Sequence, residues 1–199
     1  TTGQRVNPFA SYGTPKKGDF LYKDLNGDGV IDDNDKYAVG HGLAPRLTYG
    51  FSLGAEWNGF DFSCLFQGNA GLQVYWQDKF YMGYINYGDV INKEIAEGAW
   101  REGRTNATYP RLLTGLNTLN AQPSDFWVQN KSYLRLKNVQ IGYKIPKKLL
   151  QKLDISQLRL YTSLENMLTF TSYKGIDPEI SGTTYPTMKQ ITVGVNVVF

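Results

Sequence analysis

The sequence predicts an all-β chain, about five antiparallel strands of a transmembrane β-barrel connected by long extracellular loops. Three observations carry this expectation. Five segments alternate apolar and polar residues with period two. The connectors between them are alternately short and long, the asymmetry of outer-membrane barrels. The composition, with 14 Tyr, 10 Phe, 4 Trp and 21 Gly, favours strands and lacks the long Ala/Leu/Glu/Lys blocks of helical bundles. Mean hydropathy is −0.39, and no run approaches the ~18 to 20 apolar residues of a spanning helix. Barrel strands escape that test, because only alternate residues meet lipid.

The first strand, residues 46–57, places Leu47, Tyr49, Phe51, Leu53, Ala55 and Trp57 opposite Arg46, Thr48, Gly50, Ser52, Gly54 and Glu56. Trp57-Asn58-Gly59 then forms a tight hairpin, since Asn and Gly tolerate the positive φ of that turn. In the second strand, 59–67, Phe60, Phe62, Cys64 and Phe66 face away from Asp61, Ser63 and Gln67, with Leu65 the exception. The third, 133–145, changes phase between Leu136 and Val139, which a bulge near Lys137-Asn138 repairs. The fourth, 157–168, separates Leu158, Leu160, Leu164 and Leu168 from Arg159, Tyr161, Ser163 and Glu165. The fifth alternates Ile191, Val193, Val195, Val197 and Phe199 with Thr192, Gly194, Asn196 and Val198.

Connectors 57–59 and 146–156 are short, and 68–131 and 169–189 are long. With Phe199 at the periplasmic end, every short connector falls on the periplasmic side. The expected organisation is therefore an extracellular loop over 1–45, a barrel hairpin over 46–67, a long extracellular loop over 68–131, and the last three barrel strands over 132–199 with loop 169–189. Residues 90–100 read as a short amphipathic helix packing Ile91, Ile95 and Trp100. A soluble β-sandwich also alternates. Aromatics near strand ends, Trp57, Phe60 and Tyr143, and a final strand closing on Phe199 favour the barrel. The amino terminus, Thr1 to Arg5, lacks a charged-then-apolar signal pattern, so a mature product or a piece of a longer protein is expected.

Charge and chemistry exclude several classes. With 21 basic and 18 acidic residues the net charge is +3, and no basic stripe marks a nucleic-acid partner. One cysteine, Cys64, forms no internal disulfide, and a lone histidine, His41, rules out a multi-histidine centre. No catalytic residues are assigned.

The sharpest local motif runs from Asp24 to Asp35. A twelve-residue calcium loop wants oxygen ligands at positions 1, 3, 5, 7 and 12, often a water-mediated one at 9, and glycine at 6. Asp24, Asn26, Asp28, the Val30 carbonyl, Asp32 and Asp35 fill these places, with Gly29 at position 6. Aspartate at position 12 resembles the dockerin variant more than the sensor EF-hand. A calcium-stabilised extracellular turn is expected; the alternative is a metal-free Asx-rich turn.

Several further motifs, weak singly, occur in order: Gly18-Asp19-Phe20-Leu21-Tyr22-Lys23-Asp24-Leu25-Asn26-Gly27-Asp28-Gly29, then Ile31-Asp32 and Asn34-Asp35; Phe66-Gln67-Gly68; Ser132-Tyr133-Leu134-Arg135-Leu136-Lys137-Asn138-Val139; Leu158-Arg159-Leu160-Tyr161; Glu165-Asn166-Met167; and Gly175-Ile176-Asp177-Pro178-Glu179. Together they resemble the SusC/RagA-type TonB-dependent transporters of Bacteroidetes over nearly the whole chain. The resemblance implies the carboxyl-terminal portion of a 22-stranded barrel in the bacterial outer membrane, in contact with outer-membrane lipid. The remainder of the same transporter, plug and other strands, would complete it, and TonB would act through the absent amino-terminal part. It also implies a SusD-like surface lipoprotein over the mouth and import of oligosaccharides or peptides.

Tyr75, Trp76, Tyr81, Tyr84 and Tyr87 in the long loop are candidates for stacking on a sugar ring, with packing of the loop as the alternative. Arg46, Glu56, Asp61, Arg159 and Glu165 fall on the lumen side, as transport residues or as paired wall charges. A non-energised porin or adhesin would share the strands. A secreted calcium-binding glycan enzyme would need a carboxylate pair that no spacing singles out.

Overall fold

Period-two alternation becomes a sheet in the computed structural model, which describes residues 13–40, 42, 44–76, 84–85, 91–114, 119–151, 154–180 and 184–199. The strands are β1 (Leu47–Trp57), β2 (Phe60–Ala70), β3 (Gln73–Tyr75), β4 (Tyr84–Ile85), β5 (Leu113–Thr114), β6 (Val128–Asn130), β7 (Tyr133–Lys144), β8 (Gln157–Thr171) and β9 (Gln190–Val198). Five form one antiparallel sheet in the order β1-β2-β7-β8-β9. The chain divides into two units, Thr1–Gly40 with Tyr75–Val128, and His41–Val74 with Gln129–Phe199.

The sheet belongs to the second unit. Its β1–β2 hairpin closes through Asn58 (φ 47°) and Gly59 (φ 86°), with Trp57 opposite Phe60. Positive φ at both central residues is the primed turn whose twist matches the strands. Cross-strand register places Phe51 with Phe66, Phe66 with Leu136, and Leu136 with Leu168 on one face. Lower on that face, Cys64, Val139, Leu164 and Ile191 form a second row. Between these rows the strands advance by different amounts: 64 to 66 on β2, 139 to 136 on β7, 168 to 164 on β8. Each strand thus carries one residue more than the last. Lys137 is the extra residue on β7, as its phase change predicts, and Asn166 takes a positive φ of 54° where β8 bulges.

The sheet unit differs from the expected pattern in two strand ends and one helical turn. β2 and β8 continue three residues beyond their expected ends, into Ala70 and Thr171. The short connector after β7 carries a helical turn, α2 (Lys147–Leu150), begun by Pro146, too short to show a period.

The first unit packs around Trp127, Ile95, Trp76, Leu119 and Ile31. Its helix α1 (Lys93–Gly98) occupies the centre of the expected 90–100 segment. Asn92 caps it by accepting the Glu94 N–H at 2.9 Å, and Ile95 faces inward. Gly18 adopts φ +85°, and a Cβ there would lie 2.3 Å from the Trp100 ring, so the position requires glycine. The next residue, Asp19, pairs bidentately with Arg111 at 2.6 and 3.0 Å and accepts from Asn120 at 2.9 Å. Phe20 then joins an aromatic cluster with Tyr22, Phe126 and Trp127. Burial opposes the charged form of Asp19, yet the bonds from Arg111, the Lys16 N–H and Asn120 outweigh it and hold the carboxyl below its ordinary value.

Candidate functional site

The sheet has two chemically opposed faces. On one stand Leu47, Phe51, Leu53, Trp57, Phe60, Phe62, Ile141, Leu160, Leu168, Phe170, Ile191, Val193, Val195 and Val197, all exposed. Trp57 at 76% and Val193 at 77% exposure show large apolar groups with nothing over them. A contiguous patch of this size marks a membrane or protein interface. Aromatics gather where the β1–β2 turn ends it: Phe60 lies 4.5 Å from Tyr143, centroid to centroid, as at an interfacial girdle.

The opposite face is polar and internally paired. Arg159 on β8 reaches across β7 to Asp61 on β2, with Nε–Oδ2 at 2.8 Å, and donates to Gln140 on the way at 3.0 Å. Lys144 meets Glu56 at 3.2 Å, and Asn138 donates to the Ser163 hydroxyl at 2.9 Å. Of the lumen candidates, Glu56, Asp61 and Arg159 are each held by a partner across the sheet. Glu165 shares this face with Asn138 and Gln190 by register, and Arg46 is exposed.

Higher on the polar face lies the densest ion cluster. Arg135 donates from Nε to Thr169 Oγ1 at 2.8 Å, from Nη1 to Glu179 Oε2 at 2.7 Å and from Nη2 to Asp177 Oδ1 at 2.7 Å. Lys137 Nζ reaches Glu179 at 2.7 Å, and the Tyr133 hydroxyl donates to it at 2.9 Å. Lys131 Nζ donates to the Ile180 carbonyl; burial lowers its pKa, with Asp177 acting in the other sense. The side chains of Arg135 and Asp177 are 4% and 5% exposed.

Burial would raise the Asp177 pKa, but the Arg135 guanidinium and the N–H groups of Glu179 and Thr187 hold it below the ordinary 3.8. A lowered folded value means the stabilisation is complete above the unfolded pKa and lost as pH falls through the folded one. The β8–β9 connection is expected to keep its hydrogen-exchange protection at pH 5 and to open only below about pH 4. Opening between pH 5 and 6 would contradict this assignment.

In the first unit the Asp24–Asp35 loop is wound by its own carboxylates. Asp24 accepts the N–H groups of Gly27 (2.6 Å) and Gly29 (2.9 Å), Asn26 accepts that of Asp28, and Asp28 accepts that of Val30. Asp35 closes the loop by accepting from Leu25 at 2.7 Å and Asp32 at 2.9 Å, and these N–H groups lower its pKa. Residues 33–35 form a 3-10 turn with Asp32 as cap. The donors have the chemistry of a hard-cation site. In this conformation they turn to the backbone, and among the described residues no group of three or more acidic side chains converges as a metal cage.

Beside this loop is a cavity of about 590 Å³ lined in part by Tyr22, Tyr37, Tyr75, Asp32 and Asp35. Burial raises the Tyr75 pKa above its ordinary value. Trp76 is 4% exposed and belongs to the packed interior of its unit. Only the backbone of Tyr84 is described, within β4, and Tyr81 and Tyr87 lie outside the described residues. The structure thus brings Tyr75 together with two tyrosines, Tyr22 and Tyr37, that the sequence reading did not single out.

No family model matches the chain. It is 31% identical to TonB-dependent receptor P3 of Formosa agariphila over 94% of its own length and 20% of the relative's. It is 27% identical to the TonB-dependent receptor SusC of Bacteroides thetaiotaomicron over 90% of its length and 17% of that protein. Its fold superposes on the RagAB peptide importer in the open-open state with a TM-score of 0.66 at 29% identity, covering 86% of this chain and 19% of the other. The chain spans about a fifth of the length of the curated relatives it matches. Sequence, fold and a sheet with one apolar and one polar face agree: the chain is all-β and belongs to the SusC/RagA-like family of TonB-dependent receptors.

Proposed function

We propose that this chain is the carboxyl-terminal wall of a 22-stranded outer-membrane barrel, part of an importer that takes up oligosaccharides or peptides with a SusD-like surface lipoprotein. The observation that supports this best is the uncovered apolar face running through all five strands, opposite a face of paired charges. Hydrocarbon on one side and water on the other satisfies both. β1 and β9 each have one neighbour within the sheet, so closure would come from other strands of the same transporter. Energy would pass from TonB through segments outside this chain.

The test is uptake by a strain lacking the parent gene, complemented with the full-length receptor. Growth on one glycan or peptide mixture should return only with the receptor and an intact TonB system, and a surface lipoprotein should copurify. Return of growth without TonB would favour a non-energised porin. Substrate stacking, if sugar is the cargo, is assigned to Tyr75 with Tyr22 and Tyr37 around the cavity; of the other candidates, Tyr81 and Tyr84 stay as proposals, and Trp76 is held in packing.

We also propose that Asp24, Asn26, Asp28, the Val30 carbonyl, Asp32 and Asp35 take calcium. The order of donors and the left-handed Gly27 and Gly29 support this, and the carboxylates would have to turn inward from the backbone. Millimolar calcium is expected to slow proteolysis of the loop in the full-length receptor, and Asp28→Ala to abolish that protection. Equal cleavage with calcium or chelator would remove the metal from the account.

A further inference from the structure

We propose that Arg135 is a positioning residue that holds the β8–β9 connection, through Asp177 and Glu179, against the polar face of β7 and β8. A solute moving along that face then meets the connection instead of the bare strands. This rests on the importer reading for its consequence, though not for its geometry.

The geometry has a direction of dependence. One guanidinium bonds three separate places, Thr169 on β8 and both acidic residues of the connection. Arginine alone offers a planar fork able to do this at once. Asp177, fixed by Arg135, in turn organises its own segment: it accepts the Glu179 N–H at 2.8 Å and the Thr187 N–H at 3.0 Å, drawing together residues ten apart. Further on, Asn166 Nδ2, at the β8 bulge, donates to the Met188 carbonyl at 3.0 Å. Lys137, Tyr133 and Lys131 fasten Glu179 and the Ile180 carbonyl. Asp177, Glu179 and Met188 of the connection are thus held against β7 and β8.

The electrostatic consequence follows. Lys131, Arg135 and Lys137 gather around the connection, which supplies two carboxylates, Asp177 and Glu179. Docking sets the two carboxylates among these cations, while the connection's own Lys174 and Lys189 stay exposed away from the cluster's ion pairs. Without the docked carboxylates, Arg135 and Lys137 would face the path unpaired and attract anions there.

Hydrogen exchange of the full-length receptor in lipid nanodiscs tests the clamp. The amides of Glu179 and Thr187 should exchange slowly in the native protein and at least tenfold faster in Arg135→Ala. Arg135→Lys, which keeps charge but loses the fork, should fall between. Arg159→Ala, a lumen pair elsewhere, should leave them unchanged. Unchanged exchange in Arg135→Ala overturns the proposal. If that variant does not reach the membrane, Asp177→Asn removes one leg and Thr169→Val another; each should speed exchange, and failure of both overturns it equally. Exchange reads the clamp whether or not the receptor imports anything, whereas TonB-dependent growth reads the importer assignment, so either can fail alone.

Discussion

Replacing Val193 by arginine is expected to prevent assembly of the receptor in the outer membrane, while the same replacement one residue earlier, Thr192→Arg, is tolerated. The two positions are adjacent on β9 and point to opposite faces. Val193 pairs with Thr162 on the apolar side, and Thr192 pairs with Ser163 on the polar side. Val193 lies near the middle of its strand and is 77% exposed. In the proposed barrel that exposure is to hydrocarbon, where an arginine near the midplane costs about 2–4 kcal/mol. At position 192 the new charge would meet the water of the proposed lumen, with no hydrocarbon to oppose it. Heat-modifiable mobility of the full-length receptor in outer-membrane fractions reads the difference directly. Equal assembly of both variants would mean that Val193 does not face lipid, and the barrel assignment would lose its main support.

That contrast depends on parity, and parity was also what the sequence disclosed most fully. The β1–β2 hairpin was legible because its alternation is unbroken and Asn58-Gly59 fixes the turn. The β7 bulge was legible because Leu136 and Val139 break parity within one strand. The β8 bulge was not: Leu164 and Leu168 differ by four, so β8 keeps its own parity while slipping against β7. Only the register between strands reveals such a slip. β3 to β6 and α2 are two to four residues long, below the length at which a period exists.

The site followed the same rule. The Asp24–Asp35 loop is local, so its ligand order could be read from spacing, whereas the convergence of its carboxylates is a matter of side-chain rotation that spacing leaves open. Gly18-Asp19-Phe20 stood out as a motif, but its reason, a glycine against Trp100 and a carboxylate on Arg111, involves partners more than 80 residues away. Likewise Arg135 and Asp177 sat in two separate motifs, and no spacing rule joins residues 42 apart.

Asp177→Ala is expected to be the most damaging single truncation in the second unit, by about 3–5 kcal/mol. The cost arises less from the lost attraction than from what remains. Arg135 is 4% exposed, and without Asp177 its Nη2 has no carboxylate and little water. Thr187 and Glu179 also lose the acceptor for their N–H groups. Glu179, by contrast, keeps Lys137 and the Tyr133 hydroxyl even if Arg135 goes. Removing both buried members together therefore strands no second charge. The double variant Arg135→Met, Asp177→Leu is expected to recover the part of the loss that comes from the stranded guanidinium, because apolar groups replace a buried pair at little net cost, while the two N–H groups stay without their acceptor. Denaturant titration of the full-length receptor in lipid bilayers measures both, and the cycle gives the coupling. Additive losses would show that the two side chains act independently, and that the connection is held by its backbone contacts and by Lys131 instead.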